Sequence, residues 1–255
     1  DAGASLIGLI ATFLYFSDNP SFPYNFVLAC TAEEEISGKN GIACILNDLP
    51  PIDFAIVGEP TEMHLAVAEK GLIVLDCYAY GKAGHAARNE GENAIYKAIA
   101  DIEWFRTYQF ERVSEMLGCV KMTVTQIEAG KQHNVVPDVC HFVVDVRTTD
   151  AYTNEETLDI IRASVRSEVK PRSLRLQPSS IPLSHPFVRA GVKFGRRCFG
   201  SPTLSDQALL PCPSVKIGIG DSARSHMANE FVCVREIEDG IALYIALLEE
   251  VGRMV

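Results

Sequence analysis

The chain has 255 residues, of which 47% are hydrophobic and 22% charged, with a formal net charge of −10. This composition is typical of a folded globular protein that is long enough for one large or two moderate domains. The acidic excess argues against a nucleic-acid or anionic-membrane surface, where Lys and Arg predominate. The longest uncharged apolar stretch, residues 2–17, is too short to span a bilayer. We therefore expect no nucleic-acid partner and no membrane insertion.

Eight cysteines are spread along the chain, most of them within apolar runs and none in a CxxC pair. Such spacing predicts neither a zinc knuckle nor a redox motif. Buried, reduced thiols are therefore expected, and with them a cytoplasmic location, whereas disulfides are the less favoured alternative.

The first part of the chain alternates helix and strand. Residues 2–16 carry an apolar helical face and predict a helix that begins almost at Asp1, so we expect the complete protein to contain a further N-terminal segment. Residues 24–32 and 53–58 are apolar runs that predict two strands buried on both faces, with a short helix over 38–49 between them. This β-α-β order favours a doubly wound α/β sheet.

The pattern changes after residue 68. The predicted elements there are a strand over 72–80, a helix over 91–108, strands over 119–127 and 139–147, a helix over 153–169 and a strand over 174–181. This β-α-β-β-α-β order is typical of a self-contained α+β unit of about one hundred residues.

The α/β pattern returns near the end of the chain. Residues 187–199 and 236–252 predict helices, and 214–218 predicts a strand. The simplest architecture is a single α/β domain, residues 1–68 and 182–255, that is interrupted by an inserted domain over 69–181.

Acidic residues follow both of the predicted N-terminal strands. Glu33, Glu34 and Glu35 come directly after the first strand, and Glu59 follows the second. The carboxyl ends of neighbouring parallel strands meet at the edge where α/β folds bind ligands. A co-catalytic metal site needs one carboxylate on the metal and another that takes a proton from water, and adjacent residues at a strand end can supply both. A solvated acidic turn is the alternative for an isolated run.

A loop near the C-terminus carries a further candidate ligand. His226 lies in the glycine-containing segment that follows the strand over 214–218, where an imidazole is well placed to bind a metal, and Glu230 could support it. A surface histidine is the alternative for His226, and a helix N-cap is the alternative for Asp1.

Five motifs in order identify a resemblance to a known family. They are Glu34-Glu35, GEPT at 58–61, GKAGHA at 81–86, NVVP at 134–137 with Arg147, and SHMANE at 225–230. In this order they resemble the motifs of the co-catalytic zinc amidohydrolases, which include acetylornithine deacetylase, succinyl-diaminopimelate desuccinylase, aminoacylase and carboxypeptidase G. The resemblance implies a zinc-exopeptidase-like α/β fold with an inserted lid and dimerisation domain, and it is strongest to acetylornithine deacetylase.

The resemblance also implies a metal site. Asp1, Glu35, Glu59 and His226 match ligands of two Zn²⁺ ions, for which Co²⁺ could substitute, and Glu34 matches the general base. The three consecutive acids leave an alternative register, Glu33-Glu34, open. The family has a His-x-Asp motif upstream of its bridging aspartate, and nothing in this chain matches it. On the resemblance, part of the metal site therefore lies outside the chain.

The inserted domain matches the family at three further positions. His85 resembles the histidine that reaches the substrate oxyanion, in several relatives from the partner subunit, while Asn134 and Arg147 resemble groups that contact the substrate's carbonyl and carboxylate. A bidentate Arg suits a free carboxylate. The remaining histidines match no motif and are interpreted as structural: His64, His133, His141 and His185.

The predicted reaction is metal-dependent hydrolysis of the amide of an N-acyl amino acid by a homodimer formed through the inserted domain. N-acetyl-L-ornithine or N-succinyl-L-ornithine, cleaved to ornithine in arginine biosynthesis, is the preferred substrate. Succinyl-diaminopimelate desuccinylase is the first alternative, followed by a dipeptidase or aminoacylase. A zinc exopeptidase for longer peptides and a non-catalytic binding module that keeps the fold are the rivals from other classes.

Overall fold

The computed structural model describes residues 2–254 of the chain. Contacts between residues divide it into two compact units, of which the second is Lys70–Pro178 and the first comprises the described residues on either side. The helices are α1 (Gly3–Ser17), α2 (Ala94–Thr107), α3 (Asn154–Ser164), α4 (Pro186–Lys193) and α5 (Val234–Gly252). The strands are β1 (Ala55–Val57), β2 (Leu65–Glu69), β3 (Gly71–Tyr80), β4 (Gly84–His85), β5 (Lys121–Ala129), β6 (Val135–Val136), β7 (Val139–Thr148), β8 (Glu168–Pro171), β9 (Ser179–Ser180), β10 (Cys198–Ser201) and β11 (Ser214–Lys216).

The first unit is built on a mixed sheet with strand order β1-β11-β2-β10, and β9 also pairs with β2. β1 runs parallel to β11, and β10 runs parallel to β2, whereas β11 and β2 are antiparallel. Helix α5 packs against α1 and α4. The fully buried Tyr244 of α5 donates a 2.6 Å hydrogen bond to the carbonyl of Ile217, which ties this helix to the segment that follows β11.

The second unit is an antiparallel sheet with strand order β5-β7-β3-β8. Alternate residues of β3 and β7 are buried, as expected for a sheet covered on one face. Thr153 and Glu156 form a capping box that starts α3, and Asn93 caps α2. The short strands β4 and β6 pair beyond the Tyr80–Val139 end of the β3–β7 ladder.

Residues 24–32 correct the sequence prediction. They form no strand, and alternate side chains such as Val27, which is 47% exposed, are open to solvent. The apolar run predicted a strand buried on both faces, but burial on both faces needs neighbouring strands. Among the described residues, no strand pairs with this segment.

Two other predicted elements also differ from the structure. Residues 38–49 form only a short 3-10 turn at Ile42–Cys44 in place of a helix. The strand predicted over 174–181 is replaced by β8, which ends at Pro171, and by the two-residue β9. A short apolar run is compatible with a helix, a strand or a turn. Which of them forms depends on whether a neighbouring strand has a free edge with which the run can pair.

The described part of the chain includes no helix that is long and apolar enough to cross a membrane. All eight cysteines are free thiols, and burial raises the pKa of the Cys77 thiol to about 12. Only Cys77 and Cys140 are fully buried, and several of the others lie on the surface.

Candidate active site

Two loops that carry predicted site residues meet at one edge of the first unit's sheet. β1 and β11 are parallel, so Glu59 and Gly218 follow their carboxyl ends side by side. The Gly218 carbonyl accepts hydrogen bonds from the amides of Thr61 (3.1 Å) and Met63 (3.0 Å), and its own amide donates to the Thr61 hydroxyl at 3.0 Å. A side chain at position 218 would collide with the Glu59 carbonyl. Glycine is therefore required for this close approach.

Helix α1 is joined to the same edge through Ser5. The buried Ser5 hydroxyl accepts from the Ile219 amide at 2.9 Å and lies 3.3 Å from the Ile219 carbonyl. The first turn of α1 is thus held beside the loop that leads to His226. Asp1, which the resemblance makes a metal ligand, lies outside the described residues.

The acidic run forms a tight 3-10 turn over Glu34–Ile36. Glu33 precedes it with φ +59°, and its carboxylate accepts from the amide and the side chain of Asn40 at 3.1 and 2.9 Å. The Glu33 carboxylate therefore holds the loop. This arrangement favours Glu34 and Glu35 as the pair available for chemistry.

The structure brings the acidic turn and the C-terminal loop together. Nε2 of His226 lies 4.0 Å from a carboxylate oxygen of Glu35, and both side chains are largely exposed. The His226 amide donates to the Glu230 carboxylate at 3.1 Å, with His226 at φ +58°. Glu230 thus fixes the backbone from which the imidazole projects.

The carboxylates of this edge influence one another. Burial, followed by the negative charge of Glu34, raises the pKa of Glu59 to about 7, against the opposing effect of Lys216. Burial also raises the pKa of Glu34, with further contributions from Asp206 and Glu35. An excess of negative charge in a partly desolvated site is an environment that a bound cation stabilises.

The donor groups suit a zinc ion in their chemistry, because imidazole and carboxylate are both zinc ligands. Glu35 and His226 approach each other to 4.0 Å at this edge, and Glu59 belongs to the same charge cluster. Within residues 2–254, however, no three His, Cys, Asp or Glu side chains converge closely enough to hold a metal. The described residues on their own therefore do not form a complete metal site.

Three buried or half-buried residues of this region were not predicted from the sequence: Glu69, Asp206 and Lys216. Lys216 and Glu69 form a 2.7 Å ion pair with side chains 6% and 1% exposed. Asp206 accepts a 3.3 Å hydrogen bond from the Thr31 hydroxyl, just before the acidic run. The sequence signal for a buried ion pair here was the Lys within the apolar strand over 214–218, because a Lys is almost never fully buried without a charged partner.

The raised pKa of Glu59 predicts a pH dependence of stability in the presence of a chelator. The folded-state pKa of about 7 exceeds the unfolded value of 4.5, so between these values the folded protein holds the extra proton. Stability should therefore fall by up to about 3 kcal/mol as the pH rises from 4.5 to 7, and should level off above 7. Denaturant unfolding across this range should show a flatter profile for Glu59→Gln than for the unchanged protein.

The exposed neighbour Glu62 gives a matched control, since Glu62→Gln should leave the profile unchanged. A Glu59→Gln profile that superimposes on that of the unchanged protein would contradict the assigned pKa. Chelation is needed because a bound cation keeps the carboxylate ionised.

In the second unit, the structure places His85 and Asn134 together. His85 of β4 pairs with Val135 of β6, and the amide of Ala86 donates to the Asn134 carbonyl at 2.9 Å. The His85 ring accepts from the Ala87 amide at 3.1 Å through Nδ1, which leaves Nε2 as the nitrogen that carries the proton. An open cleft of about 850 Å³ adjoins these strands, and it is lined by residues that include His133.

Arg147 lies near the far end of β7 in the four-stranded sheet, whereas β4 and β6 form a separate two-stranded sheet. Arg147 pairs with Leu72 of β3, whereas Val139, the first residue of β7, pairs with Tyr80 at the opposite end of β3. The rise of a strand, ~3.4 Å per residue, separates Val139 and Arg147 by about 27 Å. The Arg147 guanidinium already binds Asp145 through Nε and one terminal nitrogen, at 2.8 and 3.0 Å, so a substrate carboxylate would meet its remaining N–H groups.

Three of the other histidines make structural contacts. His185 caps α4 by accepting from the Phe187 amide. His141 lies 2.9 Å from Asp76. Asp76 also binds Arg172, whose hydrogen bonds hold the pKa of Asp76 at about 2. His64 contacts the amide and side chain of Arg197. None of the three touches the acidic edge.

Comparison with known proteins agrees with this architecture. Residues 67–173 match the family model described as a peptidase dimerisation domain. The chain is 27% identical over 234 residues to a LysW-lysine/LysW-ornithine hydrolase of Pyrobaculum aerophilum, covering 87% of this chain and 65% of that protein. It is 26% identical over 272 residues to a succinyl-diaminopimelate desuccinylase of Wolbachia pipientis wMel, covering 96% and 66%. The chain thus spans slightly less than two thirds of these relatives.

Solved structures show the same fold. The aminopeptidase PepT of Bacillus cereus superposes with a TM-score of 0.72 at 18% identity, over 96% of this chain and 70% of that one. The YXEP protein of Bacillus subtilis, described as a dinuclear metal binding peptidase of the M20 family, superposes with a TM-score of 0.66 at 15% identity, over 97% and 71%. The chain therefore has the M20 peptidase fold, and the predicted α/β architecture with an inserted dimerisation domain is confirmed.

Proposed function

We propose that the protein is a metal-dependent amidohydrolase that cleaves the amide bond of an N-acyl amino acid. The observation that carries this proposal is the approach of His226 to within 4.0 Å of Glu35, at the sheet edge where the charges of Glu34 and Glu35 act on Glu59. A base and several potential ligands in one charge cluster are more than a binding module needs. The similarity to a LysW-lysine/LysW-ornithine hydrolase, to a succinyl-diaminopimelate desuccinylase and to a dinuclear metal binding peptidase supports the same reaction class.

Glu35, Glu59 and His226 are the residues of this chain that would hold zinc, together with Asp1. When bound, Zn²⁺ supplies Lewis-acid polarisation of the amide carbonyl. Burial and, after it, the negative charge of Glu34 raise the pKa of Glu59 to about 7, which supports cation binding here because a cation favours the ionised carboxylate.

Glu34 is the proposed general base. It takes a proton from the attacking water and passes it to the leaving amine. Burial and neighbouring carboxylates raise its pKa, which brings its basicity closer to that needed near neutral pH. Glu33 is less suited to this role because its carboxylate is engaged by Asn40.

The substrate groups are assigned to the second unit. His85 would donate from Nε2 to the oxyanion that forms on the acyl carbon, Asn134 would bind a carbonyl, and Arg147 would bind the free carboxylate. N-acetyl-L-ornithine or N-succinyl-L-ornithine is the preferred substrate, with ornithine as the product in arginine biosynthesis. The similarity to a succinyl-diaminopimelate desuccinylase favours that substrate as the second candidate.

The geometry of the second unit supports a homodimer. An N-acyl amino acid spans about three extended residues, or roughly 10 Å, which is less than the separation of about 27 Å along β7. Arg147 and the His85–Asn134 end of one copy therefore cannot contact the same substrate. If both groups bind it, they belong to two copies, consistent with a match to a peptidase dimerisation domain. The eight free thiols support a cytoplasmic location as part of this proposal.

Release of a primary amine tests the proposed reaction. The protein expressed from its complete gene would be assayed, with zinc and with EDTA, against N-acetyl-L-ornithine, N-succinyl-L-ornithine, N-succinyl-diaminopimelate and a dipeptide. We expect EDTA-sensitive turnover of one acyl amino acid at least about 100-fold above the dipeptide, because a site built for the free carboxylate and acyl group discriminates strongly.

The outcomes separate the rival functions. Preferential turnover of the dipeptide would favour a dipeptidase, and faster cleavage of longer peptides would favour an exopeptidase. Zinc-loaded protein that binds an acyl amino acid but releases no amine would contradict the hydrolase proposal and favour a binding module.

A further inference from the structure

The buried ion pair of the first unit lies between strands and an irregular loop. Lys216 of β11 and Glu69 of β2 belong to antiparallel neighbours in the sheet, and Nζ lies 2.7 Å from the Glu69 carboxylate. Nζ also donates to the Thr203 hydroxyl at 3.1 Å. Two charges are costly to bury unless every polar atom around them is bonded, so this pair demands a specific arrangement of its surroundings.

Glu69 uses its carboxylate to organise the loop after β10. One oxygen accepts from the Ser205 amide at 2.7 Å, and the other accepts from the Ser205 hydroxyl at 2.8 Å and the Gln207 side-chain amide at 3.3 Å. Together with the Lys216 ammonium group, these contacts give each oxygen of the Glu69 carboxylate at least one close hydrogen-bond donor. The residues on both sides of Asp206 are thus held by a single buried group.

Asp206 connects this loop to the candidate base. Its carboxylate accepts from the Thr31 hydroxyl at 3.3 Å, and Thr31 lies two residues before Glu33, the first acid of the run. The 3-10 turn that begins at Asp206 also contacts the turn at Ile42–Cys44, on the other side of that run. The acidic run has no strand of its own to hold it, since residues 24–32 form none.

We propose that the Lys216–Glu69 ion pair is a positioning device that, through Ser205, Asp206 and Thr31, holds the turn carrying Glu34 at the sheet edge. The pair does not contact the substrate; it acts through the loop over 203–207. This inference rests on the proposed function only for the role of Glu34, because the mechanical coupling exists whether or not the protein is a hydrolase.

The test compares two double variants by hydrogen exchange without substrate. Glu69→Leu/Lys216→Met removes both charges and the bonds to Ser205, whereas Glu69→Gln/Lys216→Met removes the charges but keeps a side-chain oxygen that accepts from Ser205. We expect amide exchange in 31–38 and 203–208 to rise at least about tenfold in the Leu variant, and to change less than about threefold in the Gln variant. Exchange in the sheet residues 65–68 should be unchanged in both.

Unchanged exchange in 31–38 of a folded Leu variant would overturn the proposal, even if the loop over 203–208 loosens. Thr31→Val tests the other end of the connection and leaves the buried pair intact, so it applies even if the Leu variant does not fold. It should raise exchange in 31–38 and leave 203–208 as it was. No change in 31–38 there would also overturn the coupling.

Kinetics then separate positioning from a purely structural role. With an acyl amino acid as substrate, Thr31→Val and the Leu variant should lower kcat about tenfold or more and leave KM within about threefold. If the exchange results hold but the unchanged protein cleaves no substrate, the proposed function fails and the positioning role does not.

Discussion

Glu34→Gln is expected to lower kcat by about 10³-fold while leaving zinc content and KM nearly unchanged. Glutamine keeps the size of the side chain but cannot take a proton from water, and general-base catalysis contributes about 10²- to 10⁴-fold. Amine release under substrate saturation measures the effect, with zinc determined on the same samples.

The neighbouring acid provides the matched control. Glu33 lies one residue earlier and its carboxylate is bound by Asn40, so Glu33→Gln should reduce activity by less than about tenfold, through the loop alone. A large loss in Glu33→Gln with near-normal activity in Glu34→Gln would show that the earlier register is correct. Near-normal activity in both variants would exclude Glu33 and Glu34 as the base.

Mixing two inactive variants should restore activity. His85→Ala and Arg147→Ala should each lose about 100-fold or more, because one removes an oxyanion donor and the other the carboxylate anchor. Since Arg147 lies near one end of β7 and His85 of β4 lies beyond the other end, a site that takes one of these residues from each copy is intact once in each mixed dimer. Half of randomly paired dimers are mixed, so about a quarter of the unchanged protein's activity should return after subunit exchange.

The control pair uses two residues that lie close together in one copy. His85 lies on β4, and Asn134 directly precedes its partner strand β6, so a mixed dimer of His85→Ala and Asn134→Ala has no intact site and should stay inactive. Native mass spectrometry confirms that mixed dimers form. Mixed dimers of His85→Ala and Arg147→Ala without activity would contradict the shared site, and a protein that is monomeric throughout would contradict the homodimer.

The sequence predicted most of the second unit because its signals are local. The alternation in β3 and β7 follows from one covered face, and the capping box of Thr153 and Glu156 marks the start of α3. Such features depend on residues a few positions apart and are visible in one chain. The apolar run over 24–32 was misread because a buried strand needs partners that its own residues do not specify.

The sequence alone determined the kinds of groups available: an acidic run, a GEPT turn after a strand and a histidine in a glycine-containing loop. Only the tertiary structure decided how they are arranged. It brought Glu35 within 4.0 Å of His226, engaged Glu33 with Asn40, and gave Glu59 a pKa of about 7. Charge and burial act through space, so groups distant in sequence set these properties.

The same reason explains the residues that sequence reasoning missed or misjudged. In the sequence, Lys216 only interrupts an apolar strand. The tertiary structure shows its buried partner, Glu69, at 2.7 Å. Asp206 was missed for the same reason, because its hydrogen-bond partner Thr31 lies in a distant segment of the chain. A side chain's type is set by the sequence, whereas its partners are set by packing between segments far apart in the chain.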